Sequence, residues 1–297
     1  MHDILVIGTG AAGLAAAREA LRCVLSTVTM EALFSGGLVT NINHLDGEIQ
    51  GSGSDLAADL SAEIAGLGAQ ALTETVRSMA LEGDAVVVES DEGRHRARAV
   101  VVASGATLRR LGVPGETEFE GRGVLQCANC DGPFFTGQEV VVVGGGDAAL
   151  QEALALTEYA KRVHLVYRGS VFRAKQHFAN RVAAHGRITI HWQTEVQAVL
   201  GDQAVIAVRV RRATGGEDEI PCAGFFAYVG LEPACAFVPD AVARDAGGRL
   251  VTDAGLKTAM PGVYAAGAVR SGYGGLLKQA LAEGQAAAKA VAAALRS

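Results

Sequence analysis

The chain has 297 residues, 49% of them hydrophobic, and a formal net charge of −6. That length allows one or two domains with substantial cores, and the negative charge argues against a general nucleic-acid-binding role. No apolar run reaches the roughly 18 residues expected of a membrane helix, so no membrane partner is expected.

The first predicted element is a short apolar strand over residues 3–7, as expected of a buried parallel strand. Gly8-Thr9-Gly10-Ala11-Ala12-Gly13 follows, then a helical pattern over about 14–22 and a strand over about 24–30 that ends at Glu31. Each part has a physical task. Gly8 permits the tight turn, Gly10 lets a pyrophosphate approach the backbone, and Gly13 lets helix and strand pack closely. The helix start, at Ala11 and Ala12, supplies amide donors and a positive dipole end. Glu31 is placed to accept hydrogen bonds from an adenosine ribose.

Next comes Cys127-Ala128-Asn129-Cys130-Asp131-Gly132. Five cysteines, only two of them closely spaced, do not make a secreted disulfide framework. A lone C-x-x-C in a cytosolic protein points to redox or metal chemistry. Zinc would need four ligands, and Cys222 and Cys235 are not spaced as a zinc knuckle. Cys23, Cys222 and Cys235 read as small buried hydrophobes. The chain enters a strand at once, leaving no room for a signal peptide, so a cytoplasmic location is expected.

A second nucleotide unit follows the cysteines. Residues 139–143 form a strand, Gly144-Gly145-Gly146-Asp147-Ala148-Ala149 the turn, 150–160 a helix, and 163–168 the next strand. Where the first unit ends on Glu31, this one ends on Tyr167-Arg168, with Arg173 nearby. An acid suits a free 2′-hydroxyl and an arginine suits a 2′-phosphate, which favours NADPH over NADH. The alternative is that both arginines are ordinary surface cations. Two dinucleotide folds with a dithiol between their motifs imply two redox cofactors, FAD in the first and a nicotinamide in the second. Finally, residues 262–267 read as a strand entering a glycine turn, and 276–295 as an Ala-rich helix. This tail returns to complete the first fold.

In this order the motifs resemble the low-molecular-weight thioredoxin reductase family. The resemblance runs through Gly8 to Gly13, Gly36-Gly37, Ala103-Ser104-Gly105 and Leu111-Gly112-Val113-Pro114. It continues through the dithiol and Gly144 to Ala149, and ends at Gly262 to Gly267 with Lys278-Gln279-Ala280. It implies an α/β fold with two Rossmann-like, three-layer domains. The FAD domain would be split, about 1–110 and 236–297, around a nicotinamide domain of about 111–235 that carries the dithiol. It also implies a homodimer that passes electrons from NADPH through FAD and the dithiol to a thioredoxin-like protein or a small disulfide. Cys130 would face the flavin, Cys127 would attack the substrate, and Asp131 would shuttle a proton. Because that geometry leaves no room for both substrates, the family rotates one domain against the other. The crossovers near 108–114 and 232–237 are the candidate hinges.

Three positions depart from the family pattern. Ala268 stands where the family has an aspartate that hydrogen-bonds the flavin's sugar-phosphate chain. Tyr167-Arg168-Gly169 stands for a His-Arg-Arg run. Asn43-His44-Leu45-Asp46-Gly47 replaces an Asn-aromatic-Pro-Gly segment, where His44 either faces the flavin or lies in a surface loop. The eroded clamp keeps an alternative open, in which ferredoxin is the electron donor or oxygen the acceptor.

Overall fold

A computed structural model describes residues 1–42, 45 and 51–296; His44 lies outside them. The chain divides into two compact units, Met1–Thr107 with Glu232–Ser297, and Leu108–Leu231.

The first unit opens with β1 (His2–Ile7), α1 (Ala11–Arg22), β2 (Thr27–Glu31), α2 (Gly53–Gly66) and β3 (Gln70–Thr73). It continues with β4 (Val76–Glu82), β5 (Ala85–Ser90), β6 (Arg94–Val102) and the crossover strand β7 (Ala106–Leu108). β1, β2 and β3 pair in parallel, and β6 lies on the other side of β1. Successive side chains of a strand face opposite ways. Ile4 and Val6 therefore join the core under the helices, and Leu5 and Ile7 the core on the opposite face. β2 begins three residues later than the apolar pattern predicts. Helix α1 stops at Arg22, and Val24 takes a left-handed φ of 63°. Its amide turns back onto Leu21 and that of Leu25 onto Ala20, so the chain reverses before it can extend.

The second unit contains β8 (Val124–Leu125), α3 (Ala128–Asp131), β9 (Glu139–Val143), α4 (Asp147–Leu156), β10 (Arg162–Tyr167), α5 (Gln176–Ala184) and β11 (Ile188–Trp192). Then come β12 (Thr194–Gly201), β13 (Val205–Arg212), β14 (Glu217–Pro221) and β15 (Gly224–Ala227). A parallel sheet in the order β11-β10-β9-β15-β8 forms the middle layer. Val140 and Val142 pack toward the helices; Val141 and Val143 pack toward the antiparallel sheet β12-β13-β14.

The chain then returns through β16 (Leu231–Pro233), which pairs with β7, to β17 (Val263–Ala265) and α6 (Leu277–Arg296). β17 pairs in parallel with the C-terminal part of β6, so the tail completes the first sheet. Helix α6 lies against α1. A Cβ at Gly284 would come within 2.0 Å of the Ala12 carbonyl oxygen, so only glycine allows that approach.

Candidate functional site

In the first unit, the glycine-rich turn draws the predicted residues together. Gly8 has a φ of +93°, and a Cβ there would meet the Ala103 oxygen at 2.5 Å. A Cβ on Gly13 would stand 1.8 Å from the Gly8 oxygen. Gly10 bridges to Gly36, whose amide donates to Thr9 at 2.8 Å, and Gly37 packs against Gly10. Glu31, at the end of β2, accepts from the Thr9 amide at 2.9 Å. Gly105 closes the β6 edge with a φ of +68° and open space beside it. Replacing Gly13 with alanine drives a methyl into fixed backbone. We expect a loss at or above the upper end of the ~1–3 kcal/mol overpacking range, read as a lower melting temperature with loss of bound flavin.

The start of α1 is open to an anion. Its N-cap, Gly10, offers no side-chain acceptor, and the first turn holds no acidic residue. Helix α2 is different: Ser52 and Asp55 close a capping box there. Uncapped amides at the end of a strand–glycine–helix turn fit the pyrophosphate of a dinucleotide.

Gly267 has a φ of +78° and packs against Ala12. Its amide donates to the buried Glu283 carboxylate at 2.8 Å. Burial pushes that carboxyl up, but Arg270, the Gly267 amide and Gln279 hold it below its ordinary value. Ala268, in the same turn, brings no carboxylate, so the acid of this turn comes from α6. Lys278 is exposed on the first turn of α6, Gln279 ties that turn to Gly272 and Gly274, and Ala280 packs into the core.

The second unit repeats the arrangement. Gly144 has a φ of +145°, Gly146 caps α4 with open space beside it, and no side chain caps its amides. Asp147 accepts from the Lys175 amide at 2.7 Å, and the Arg173 amide donates to Gly145 at 2.8 Å. Through these two bonds the loop after β10 lies along the turn, and Ala148 is exposed on the first turn of α4. Arg168 and Arg173 are exposed, and among the described residues their side chains have no hydrogen-bond or ion-pair partner. The two departing positions of the clamp are in contact. Tyr167 is buried, and its ring sits against both Gly145 and Gly169. A Cβ at 169 would meet that ring at 2.7 Å, so a larger residue there requires the Tyr167 ring to move.

Cys127 and Cys130 are joined by a disulfide, with their Cα atoms 5.4 Å apart. Cys127 caps α3, and its sulfur accepts from the Cys130 amide at 3.2 Å. Cys127 is buried and Cys130 is exposed. Asp131 accepts from the Cys127 amide at 3.3 Å; burial pushes its carboxyl up, and backbone amides oppose that rise. Burial that disfavours the charged carboxylate suits a group that takes up and gives back a proton beside the dithiol. Cys222 and Cys235 lie in different cores, and burial pushes the Cys222 thiol up to about 12.

Residues 2–288 match the family model for pyridine nucleotide-disulphide oxidoreductases. The chain belongs to that family. It is 36% identical over 296 residues to a thioredoxin reductase of Treponema pallidum, covering 98% of this chain and 96% of that one. A bifunctional thioredoxin reductase/thioredoxin of Mycobacterium leprae is 39% identical over 274 residues, covering 90% of this chain and 60% of that one. The crystal structure of Lactococcus lactis thioredoxin reductase superposes with a TM-score of 0.93 at 31% identity, covering 98% of each chain. This chain is thus an oxidoreductase of the thioredoxin-reductase kind, in a flavoprotein group that uses FAD and NADPH. The alternative of ferredoxin or oxygen as electron partner is not favoured by these likenesses. No helix among the described residues is long and apolar enough to cross a membrane.

Two side chains near the dithiol escaped sequence reasoning. Glu152 and Tyr228 belong to no motif; the one available signal was an acid beside the apolar Ala149, Leu150 and Ala153 of α4.

Proposed function

We propose that this protein reduces the disulfide of a thioredoxin-like protein, taking electrons from NADPH through FAD and the Cys127–Cys130 pair. The observation that carries the reading is the Cys127–Cys130 disulfide beside Asp131, in the unit whose glycine turn leaves its helix amides uncapped. A relative whose name joins thioredoxin reductase to thioredoxin supports a thioredoxin-like partner. The first unit is the FAD domain, held through Gly8, Gly10, Gly13, Glu31, Gly36 and Gly37 on one side and Gly267 and Lys278 on the other. The second is the NADPH domain, with Gly146 at the pyrophosphate and Arg168 and Arg173 at the 2′-phosphate. The active form is a homodimer, as the resemblance implies, and its expected location is the cytoplasm.

Bound FAD supplies a two-electron relay between the nicotinamide and the disulfide. Two electrons and two protons convert Cys127–Cys130 to a dithiol, with Asp131 holding one of the protons. Cys127, as thiolate, then attacks the substrate disulfide; one substrate sulfur leaves as a thiolate and takes a proton. Cys130 attacks Cys127 within the mixed disulfide, releases the second substrate thiol and closes the ring. Attack on a protein substrate requires Cys127 to become accessible. The resemblance implies that rotation at the crossovers, β7 and β16, gives that access.

Anaerobic addition of NADPH, NADH, a dithiol and reduced ferredoxin, each alone, to the yellow protein tests the reading. Rapid bleaching by NADPH is expected; bleaching by a dithiol or reduced ferredoxin alone would transfer the role to another electron partner. Changing Arg168 and Arg173 to alanine removes two charge-assisted contacts of roughly 1.5–3 kcal/mol each. The KM for NADPH should rise about tenfold or more per arginine, with the KM for NADH unchanged.

A further inference from the structure

Glu152 lies on α4, six residues after Gly146, with Ala149, Leu150 and Ala153 of the same helix in the core. Neither the glycine turn nor the dithiol chemistry described so far uses its carboxyl. Its Oε2 accepts from the Ala128 amide at 2.9 Å, between the two cysteines. The same oxygen stands 3.2 Å from the Tyr228 hydroxyl, which also reaches the Gln126 carbonyl at 2.9 Å. The Cys127 amide in turn goes to Asp131. Backbone groups at 126, 127 and 128 are thus each held by a side chain from α4, from α3 or from the segment after β15.

Protons are scarce in this group. A tyrosine hydroxyl has one to give. If it goes to the Gln126 carbonyl, the shorter contact, the Tyr228–Glu152 contact needs a proton from Glu152. If it goes to Glu152, the Gln126 carbonyl loses that donor. Among the described residues the titratable group in contact with Glu152 is Tyr228; Cys127, Cys130 and Asp131 belong to the segment that the carboxyl holds through the Ala128 amide. Burial pushes the carboxyls of Glu152 and Asp131 up, and burial together with Glu152 does the same to the Tyr228 phenol.

We propose that Glu152 is a positioning residue which, with Tyr228, fixes the backbone around Cys127 and sets the pH at which that thiol becomes reactive. The proposal rests on the dithiol reading above. A negative charge near a forming thiolate disfavours it, so the ionised carboxyl delays reactivity to higher pH. The isosteric Glu152→Gln keeps an acceptor for the Ala128 amide and removes only the charge.

The test is the rate of iodoacetamide alkylation against pH in the reduced flavoprotein, with Cys127 and Cys130 read separately by peptide mass spectrometry. Glu152→Gln should move the Cys127 profile to lower pH, about tenfold in rate at a fixed pH below the midpoint. Tyr228→Phe should move it the same way by less, because a carboxyl that loses a donor keeps its proton to higher pH. Superimposable profiles for wild type and Glu152→Gln, at unchanged flavin content, overturn the proposal. So does a profile that moves only in Glu152→Ala, which would mark a purely structural contact. If Glu152→Gln does not fold, an unchanged Tyr228→Phe profile overturns it. Failure of the dithiol reading shows elsewhere, as reduced flavin that no disulfide substrate reoxidises.

Discussion

Changing either Cys127 or Cys130 to serine should lower disulfide reduction by roughly 10⁴-fold or more, the scale seen when a covalent nucleophile is removed. Both variants should keep bound FAD and its bleaching by NADPH, because neither cysteine belongs to the glycine turns. Their spectra should differ. In Cys127→Ser the remaining Cys130 thiolate has no disulfide partner and can donate charge to oxidised flavin, giving long-wavelength absorbance. In Cys130→Ser the remaining thiol is Cys127, the buried sulfur that caps α3 and accepts the Cys130 amide. Absorbance spectra at neutral pH decide the assignment: a band in Cys130→Ser with none in Cys127→Ser would exchange the two roles.

Both glycine turns were legible because backbone geometry dictates their residue types, and the dithiol because disulfide chemistry requires cysteine. Gly13 must be glycine with the Gly8 oxygen 1.8 Å from where a Cβ would sit, and such a constraint shows directly in sequence. Strands β1 and β9 were legible for a related reason: both their faces are buried, which leaves uninterrupted apolar runs. The antiparallel layer β12-β13-β14 was not read. Its strands mix buried valines with half-buried Arg209 and exposed Arg211, Arg212, Glu217 and Glu219, which resembles any solvated segment until the facing valines of β9 are known. Gly169 was read as a lost arginine, and its contact with the Tyr167 ring shows only in the fold. Tyr167 and Gly169 therefore form one coupled change, which a residue-by-residue comparison splits in two. Glu152 and Tyr228 are 76 residues apart in sequence, and only folding brings their oxygens together.

Glu283 poses the same difficulty inside an Ala-rich helix whose composition looks like plain helix propensity. Its carboxylate accepts from the Gly267 amide, from two nitrogens of Arg270 and from Gln279. The Arg270–Glu283 side chains are only 15% and 10% exposed, so solvent screens the pair weakly. Removing one partner of a buried pair typically costs about 3–5 kcal/mol, because the other charge is left without compensation. Glu283→Ala should therefore lower the melting temperature by about 10 °C, at roughly 2–4 °C per kcal/mol. Adding Arg270→Ala to it should recover part of that loss, since no unpaired guanidinium remains. The pH dependence has a definite sign. The folded carboxyl titrates below its ordinary value, so the stabilisation is complete above the ordinary carboxylate range. It is lost as pH falls through the lower, folded value. Wild-type melting temperature should drop across that acid window, and Glu283→Gln should flatten the drop. Because Glu283 fixes the Gly267 amide, and Gly267 leads into Ala268, the same variants should bind FAD more weakly at neutral pH. Flavin release measured by fluorescence during the melt tests this coupling. Loss of flavin and unfolding at wild-type temperatures in Glu283→Ala would show that the turn holds without its buried acid.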